Sequence, residues 1–259
     1  MRGDIAMYEI QKASMLKRMS AFLLDFILMT IAVTGFALLL SVITGLDTHT
    51  DKLAEKQEYY ETTYGVDFET TEEDFNKLSE EEQAHILNVY DNMFATDPEV
   101  LYAYNMIFYL TLTIATFSLL LSFLLLEFAI PMIFKNGQTI GKKVFNLGLV
   151  HNNSILLTGV ALFARALLGK YTIETMIPII VIVMLLFNSG GLGAILVLGL
   201  IIVLQLFVFF KSKYFTPIHD VISHTVCCDL SSQLMFENVD ELIEYKKQLH
   251  EEAVQNADY

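Results

Sequence analysis

The sequence predicts an all-α membrane protein: a polytopic bundle of four transmembrane helices, with a small cytoplasmic β element and a helical extracytoplasmic loop. Three observations predict this fold class. Of the 259 residues, 54% are hydrophobic and the mean hydropathy is +0.49, which is rare in soluble proteins. Four apolar runs have the composition of membrane spans. Basic residues are concentrated in three of the segments outside those runs.

The four apolar runs are residues 20–44, 105–134, 172–187 and 192–210. The first has about 25 residues, which at about 1.5 Å per residue is enough to cross a hydrocarbon core of about 30 Å. The third is short for a span unless helical residues before it contribute. Any one run is also compatible with a buried core helix, but four together favour spans. The first run is too long for a cleavable signal peptide and lacks a small-residue cleavage pattern.

The basic residues predict the orientation, because short loops rich in Lys and Arg stay in the cytoplasm. By this rule residues 1–19, 135–171 and 211–259 are cytoplasmic, and residues 45–104 lie on the other side of the membrane. This outer segment is acidic, since 16 of the 30 Asp and Glu residues lie between Asp47 and Glu99. We expect a multi-pass protein of the cell membrane with both termini in the cytoplasm.

The acidic segment carries the signals of folded helices. Ser79 and Glu82 have the spacing of a capping box, and apolar residues follow them at helical spacing. Asp97-Pro98-Glu99 is typical of a helix start, so one helix should run from Pro98 into the second span. The acidic surface either attracts cations or a partner, or only keeps the loop soluble.

The segment after the second span predicts a hairpin followed by an amphipathic helix. Its first residues, NGQTIGKK, resemble a phosphate-binding loop, but the glycines are too close together and Lys143 replaces the Mg²⁺-binding Ser or Thr. We therefore exclude nucleotide binding. Val144–Val150 and Ile155–Leu157 are β-prone, and Thr225–Asp229 would add a third strand to this hairpin. Thr158-Gly159 could start a helix that contains Arg165.

Three short motifs lie next to the predicted spans. In chain order they are Arg18 and Asp25, then Gly137, Thr139, Gly141 and Lys142, and then His219, Asp220, Thr225 and Val226. Together they resemble the RDD family of membrane proteins, named for an Arg and two Asp residues, over residues 15–45 and 105–230. His224 departs from the family pattern, in which the residue before the Thr is usually small. The acidic loop is longer than a minimal member needs.

The resemblance implies a polytopic helical protein that is not an enzyme, and some family members are proposed to exchange monovalent cations for protons. We expect either a small transporter of this kind, using Asp25 in the helix bundle, or a non-transporting scaffold or accessory subunit. The second would bind partners through the acidic loop and an amphipathic helix over residues 240–254. The ion-pair or transport candidates are Arg18, Asp25 and Asp220, with Glu127, Arg165 and His219 as secondary candidates.

Depth in the membrane predicts how these charges pair. Arg18 and Asp25 share a helix face but lie roughly 10 Å apart, which is too far for a direct pair. Arg18 and Asp220 are both expected at the cytoplasmic boundary, so we predict that they pair while Asp25 points into the bundle. Arg165 is the first alternative partner for the carboxylates, and Glu174 is expected to face lipid headgroups. All of these charges could also serve only to hold the spans together.

The remaining polar residues predict no catalytic site, cofactor or metal. His219 and His224 lack the further ligands of a zinc site. Cys227 and Cys228 are adjacent and on the cytoplasmic side, so they are expected as strand residues or acylation sites rather than as a disulfide. The expected partner is the lipid bilayer, with a second copy of the chain or another protein also compatible. No basic surface suits nucleic acid.

Overall fold

The computed structural model describes residues 10–212 and 215–257. Within them, four helices are long and apolar enough to cross a membrane: Met15–Thr44, Pro98–Ile133, Gly159–Leu186 and Gly191–Lys211. We call these spans 1 to 4. The prediction of a mostly helical chain with four apolar spans and a small β element is confirmed.

Two of the spans change their helical winding along their length. Span 2 consists of an α-helix, a π-helical segment and a last α-helical turn. Span 3 has the same order of α-helix, π-helix and α-helix, but its last segment is a longer α-helix. The segments are Pro98–Phe123, Leu124–Ala129 and Ile130–Ile133 in span 2, and Gly159–Phe163, Ala164–Met176 and Ile177–Leu186 in span 3. The predicted helix start at Pro98 is confirmed. The expected amphipathic helix after the hairpin is instead the first half of span 3, which begins at Gly159 and not at residue 172.

The chain divides into two compact units, a small unit of residues 33–119 and a large unit of residues 1–32 and 120–259. Besides parts of spans 1 and 2, the small unit contains four helical segments: Leu46–Tyr64, Glu72–Phe75, Glu80–Val89 and the π-helical Tyr90–Phe94.

The small unit is helical, as predicted for the acidic segment. The capping box is confirmed: the Glu82 backbone N–H donates to Ser79 Oγ at 3.3 Å, and the Ser79 N–H donates to the Glu82 carboxylate at 2.9 Å. The helix Leu46–Tyr64 was not predicted, because it has few apolar residues and buries none of them. Gly45 follows the end of span 1 and Gly65 follows the end of this helix, with φ values of 69° and 66°. These two glycines were the signal in the sequence that marked where the helix begins and ends.

The large unit contains one two-stranded antiparallel sheet, which pairs Leu147–His151 with Thr225–Asp229. The strand predicted at residues 225–229 is confirmed, whereas the predicted hairpin is reduced to a single antiparallel bridge after a tight turn. Val144 belongs to a short helix, Ile140–Val144, and Asn146 at φ 54° turns the chain from that helix into the strand. Residues 155–157 contribute only an isolated bridge from Leu156 to Val150.

The other helices of the large unit are Ile218–Ile222, which precedes the second strand, and Val239–Ala257. The second confirms the helix predicted over residues 240–254. Its Leu242 is buried, and its Tyr245 ring contacts Phe236 at 5.4 Å between centroids. One buried cluster of the large unit joins Ala21 of span 1 to Leu147, Leu149 and Cys227 of the sheet.

Candidate functional site

Six ionisable side chains of the large unit form one connected set, which we call the charge cluster. They are Glu127 of span 2, Arg165, Lys170 and Glu174 of span 3, and His219 and Asp220 of the helix Ile218–Ile222. The central side chains are almost completely buried, with exposed fractions of 2% for Arg165, 5% for Glu127 and 3% for Asp220. Charges buried to this degree are stable only when they are paired.

Arg165 binds two carboxylates from different elements. Its Nε donates to Asp220 Oδ1 at 2.7 Å, and its Nη1 donates to Glu127 Oε2 at 3.3 Å. Lys170 Nζ donates to the other oxygen of Glu127. The predicted pair of Arg18 with Asp220 is therefore wrong, and the alternative partner, Arg165, is the one observed. Arg18 Nη2 instead donates to the backbone carbonyl of Phe215 at 3.0 Å.

His219 lies between two carboxylates. Its Nδ1 is 2.8 Å from Glu174 Oε2, its backbone N–H donates to Glu174 Oε1 at 3.1 Å, and its Nε2 is 3.5 Å from Asp220 Oδ1. Because an ionised carboxylate only accepts hydrogen bonds, the neutral imidazole is assigned its proton on Nδ1. The next proton would occupy Nε2, on the side of Asp220.

Burial and neighbouring charges act in opposite directions on these groups. Burial, together with the positive charges of Arg165 and Lys170, lowers the pKa of His219 below its ordinary 6.5. These effects outweigh the carboxylates of Asp220 and Glu174, which favour the charged imidazole. For Asp220, burial disfavours the carboxylate, but the Arg165 guanidinium outweighs it and holds the Asp220 pKa below its usual range. Asp220 therefore stays ionised at neutral pH.

The π-helical winding of span 3 puts its charged side chains on one face. At 3.6 residues per turn, the stretch from Arg165 to Glu174 would make about two and a half α-helical turns and place these side chains on opposite faces. With hydrogen bonds between residues five apart, the same stretch makes about two turns, so both side chains point the same way. The Ile177 N–H donates to the Thr172 carbonyl in this five-residue pattern.

Gly169 allows the helix Ile218–Ile222 to lie directly against span 3. A Cβ on Gly169 would be 2.5 Å from His219 Cβ and 2.7 Å from His219 Cα, closer than side chains approach each other. This contact seats His219 beside Glu174.

Asp25 makes a separate contact with the second motif. Thr139 Oγ1 donates to Asp25 Oδ2 at 2.5 Å, and the Gly141 N–H donates to Oδ1 at 2.7 Å. Thr139 is also the N-cap of the helix Ile140–Val144. A Cβ on Gly141 would lie 2.3 Å from the Ala21 carbonyl, so a glycine is required there. Among the described residues, no hydrogen bond or ion pair joins Asp25 to the charge cluster.

Two members of the cluster were not predicted as site residues. Glu174 was expected to face headgroups, and Lys170 counted only among the basic residues of the segment 135–171 that predicted the orientation. Sequence periodicity offered no signal for Glu174, because the α-helical period places it opposite Arg165. Within the described part of the chain, no group of three or more His, Cys, Asp or Glu side chains is arranged to hold a metal ion.

Comparison with known families agrees with the resemblance seen in the motifs. The RDD family model matches residues 12–224, which include Arg18, Asp25, the second motif, and both His219 and Asp220. Thr225 and Val226 lie just beyond the matched range. No curated protein and no solved structure is significantly similar to the chain.

Proposed function

The chain belongs to the RDD family, and we propose that it is a small transporter that exchanges monovalent cations for protons at the charge cluster. The observation that supports this is one connected set of ionisable groups in and beside two apolar spans, with an imidazole between two carboxylates. Ionisable residues inside spans are costly, and they are typical of ion pathways and proton relays. His219 is the member whose ordinary pKa lies closest to neutral pH.

The formal charges of the cluster give a physical basis for exchange. With neutral His219, the two cations Arg165 and Lys170 face three carboxylates, which leaves one negative charge. A proton on His219 or a monovalent cation near the cluster would each neutralise this charge. Because each of them neutralises the negative charge that attracts the other, the proton and the cation would compete. In this mechanism Asp25 holds the second motif in place and carries no ion.

Ion flux in proteoliposomes tests the proposal. A Na⁺ gradient imposed on liposomes containing the purified chain should drive a pH change in the lumen, read with a trapped pH-sensitive dye. His219→Gln should abolish the pH change. His250→Gln is the matched control, since His250 is exposed on the helix Val239–Ala257. Equal pH changes for His219→Gln and the parent protein would contradict the proposal.

A second candidate is a non-transporting scaffold or accessory subunit. Two surfaces favour it: the acidic helix Leu46–Tyr64, which has no buried residue, and the helix Val239–Ala257, which exposes Ile243 and Val254. This function predicts no flux in the parent protein, and a protein partner that is lost from membrane extracts when residues 240–257 are removed. No enzymatic reaction or nucleic-acid binding is part of either candidate.

We also infer the orientation and assembly from the sequence. The basic segments support a protein of the cell membrane with both termini in the cytoplasm, and four spans favour a transporter built as a homo-oligomer. In a variant without Cys227 and Cys228, a cysteine at residue 85 should be labelled from outside intact cells and one at residue 140 only after permeabilisation. Labelling of both from one side would contradict this topology.

A further inference from the structure

Two exposed lysines at the end of span 2 have no carboxylate partner. Lys135 follows the last turn of span 2, and Lys143 lies in the short helix Ile140–Val144. Within the described part of the chain, neither lysine takes part in an ion pair. Residues 128–173 contain no Asp or Glu. This end of the bundle therefore carries local positive charge, although the net charge of the chain is −14.

The ring of Phe134 brings these two lysines together. Phe134 caps the last turn of span 2, and Lys143 Nζ lies 3.7 Å from the centroid of its ring. Lys135 is the next residue along the chain, and its φ of 59° turns the backbone out of the helix. An ammonium group has three N–H donors, so the ring contact leaves Lys143 donors for an anion. Because lysine side chains are long and flexible, both ammonium groups can approach one bound anion.

The other three basic side chains of residues 128–173 are already engaged. Arg165 and Lys170 belong to the charge cluster. Lys142 Nζ donates to Thr139 Oγ1 at 3.4 Å. The two exposed lysines at the end of span 2 are thus the basic side chains of this segment whose charge is available to a ligand.

Exposed apolar side chains surround the two lysines. Ile133 at the end of span 2 is 73% exposed, Val144 next to the second lysine is 63% exposed, and Val160 in the first turn of span 3 is 79% exposed. The ends of the two spans lie side by side, since the rings of Phe128 and Phe163 are in contact at 5.5 Å between centroids. Apolar side chains exposed at the end of a span match the acyl chains of a bilayer better than they match water.

We propose that this surface, formed by Lys135, Lys143, Ile133, Val144 and Val160, binds an anionic phospholipid. The phosphate would lie between the two lysines, and the acyl chains would run along the apolar side chains. Charge complementarity selects an anionic headgroup, because basic residues beside a span attract anionic lipids. The exposed apolar side chains select a lipid over a free phosphate ion or an acidic protein. This lipid surface is separate from the charge cluster, so it does not depend on whether the chain exchanges ions.

Native mass spectrometry of the purified full chain in detergent tests the lipid surface, with dioleoylphosphatidylglycerol and dioleoylphosphatidylcholine added in turn. The parent protein should bind the anionic lipid more tightly than the zwitterionic one. One lysine near an anionic headgroup strengthens binding about fivefold, so Lys135→Gln combined with Lys143→Gln should reduce this preference about 25-fold. Lys143→Arg keeps the charge and can stack on the same ring, and it should retain the preference.

The matched control is Lys77→Gln combined with Lys247→Gln. It removes the same charge from two exposed lysines, one in the small unit and one in the helix Val239–Ala257. This pair should bind both lipids as the parent does. Val160→Asn tests the apolar part of the surface, and it should weaken the binding of both lipids alike.

Equal binding of the two lipids by the parent, or the same loss of preference in the control pair, would overturn the lipid surface. Displacement of phosphatidylglycerol by excess glycerol phosphate would assign the lysines to a free phosphate, and displacement by polyglutamate would assign them to an acidic protein. Either displacement would refute a lipid. A parent protein that prefers the anionic lipid but drives no ion flux in proteoliposomes would retain the lipid surface and refute exchange.

Discussion

Replacing Asp25 with Asn tests why the first span carries a carboxylate. In the structure this carboxylate accepts hydrogen bonds from Thr139 Oγ1 at 2.5 Å and from the Gly141 N–H at 2.7 Å. Asn keeps one acceptor for Gly141 but turns an NH₂ group toward Thr139 and removes the charge. Hydrogen bonds to charged groups contribute about 1.5–3 kcal/mol and neutral ones about 0.5–1.5. For this half-buried site, Asp25→Asn should lower the free energy of unfolding by about 1–2 kcal/mol.

A double-mutant cycle with Thr139→Val separates this contact from other effects of either change. Thr139→Val alone also removes an N-cap, which costs about 0.5–2 kcal/mol. The two changes should be coupled by about 1 kcal/mol, because each removes the same short hydrogen bond. Asp25→Asn combined with Thr113→Val should be additive, since the Thr113 hydroxyl donates to the Tyr109 carbonyl of its own helix.

The two native cysteines provide the assay. Cys227 and Cys228 are buried in the second strand, and burial raises the pKa of the Cys228 thiol to about 12. A thiol-reactive dye should therefore label them only as the chain unfolds in detergent with added denaturant. Additive effects of Asp25→Asn and Thr139→Val would refute the contact. An Asp25→Asn protein of full stability without flux would restore Asp25 as the ion-carrying residue.

Three further changes test the charge cluster. Arg165→Met leaves two buried carboxylates without their shared partner, and it should cost about 3–5 kcal/mol and reduce the folded yield in membranes, measured by fluorescence size exclusion; a yield equal to the parent would contradict the pairing. Gly169→Ala should lower the free energy of unfolding strongly, because the new Cβ would lie 2.5 Å from His219 Cβ. Gly159→Ala is the control and should be nearly neutral in the thiol assay, because no atom lies within 4 Å of the Cβ position there. Burial lowers the pKa of His219 below 6.5, so the unfolded chain binds this proton more readily than the folded chain does. The contribution of neutral His219 to the free energy of unfolding is therefore fully present above about pH 6.5, and it is lost as the pH falls toward the folded pKa. His219→Gln should flatten this part of the profile of unfolding free energy against pH, and an unchanged slope would assign it to another group.

Local signals in the sequence were sufficient for much of the fold. Hydropathy identified four spans, although it placed the start of span 3 at residue 172 rather than at Gly159. The Ser79 and Glu82 spacing predicted a helix start, and the β-branched stretch at residues 225–229 predicted a strand. Each of these depends on residues near one another in the chain. The helix Leu46–Tyr64 was missed because its surface is polar all round, so only its terminal glycines marked it.

The pairing within the site depends on geometry that the sequence does not contain. Arg18 and Asp220 were paired by expected depth alone, but Arg165 reaches Asp220 because span 3 starts at Gly159 and thereby includes it. Glu174 joins the cluster only because part of span 3 is π-helical, and an α-helical wheel turns it away. The sequence showed that the second motif follows the second span, but it did not show the contact of this motif with Asp25. That contact depends on the turn that brings Thr139 and Gly141 to span 1.

The central claim, that the charge cluster exchanges a proton for a monovalent cation, is tested most directly by the proton flux of Glu174→Gln. This change removes the surplus negative charge but retains an oxygen that can accept a hydrogen bond from His219 Nδ1. Proteoliposomes containing the parent protein should show a Na⁺-driven change in lumenal pH, and those containing Glu174→Gln should show none, although the variant folds. Exchange at the charge cluster would be contradicted by a Glu174→Gln protein that drives the same pH change as the parent, or by a parent protein that drives none.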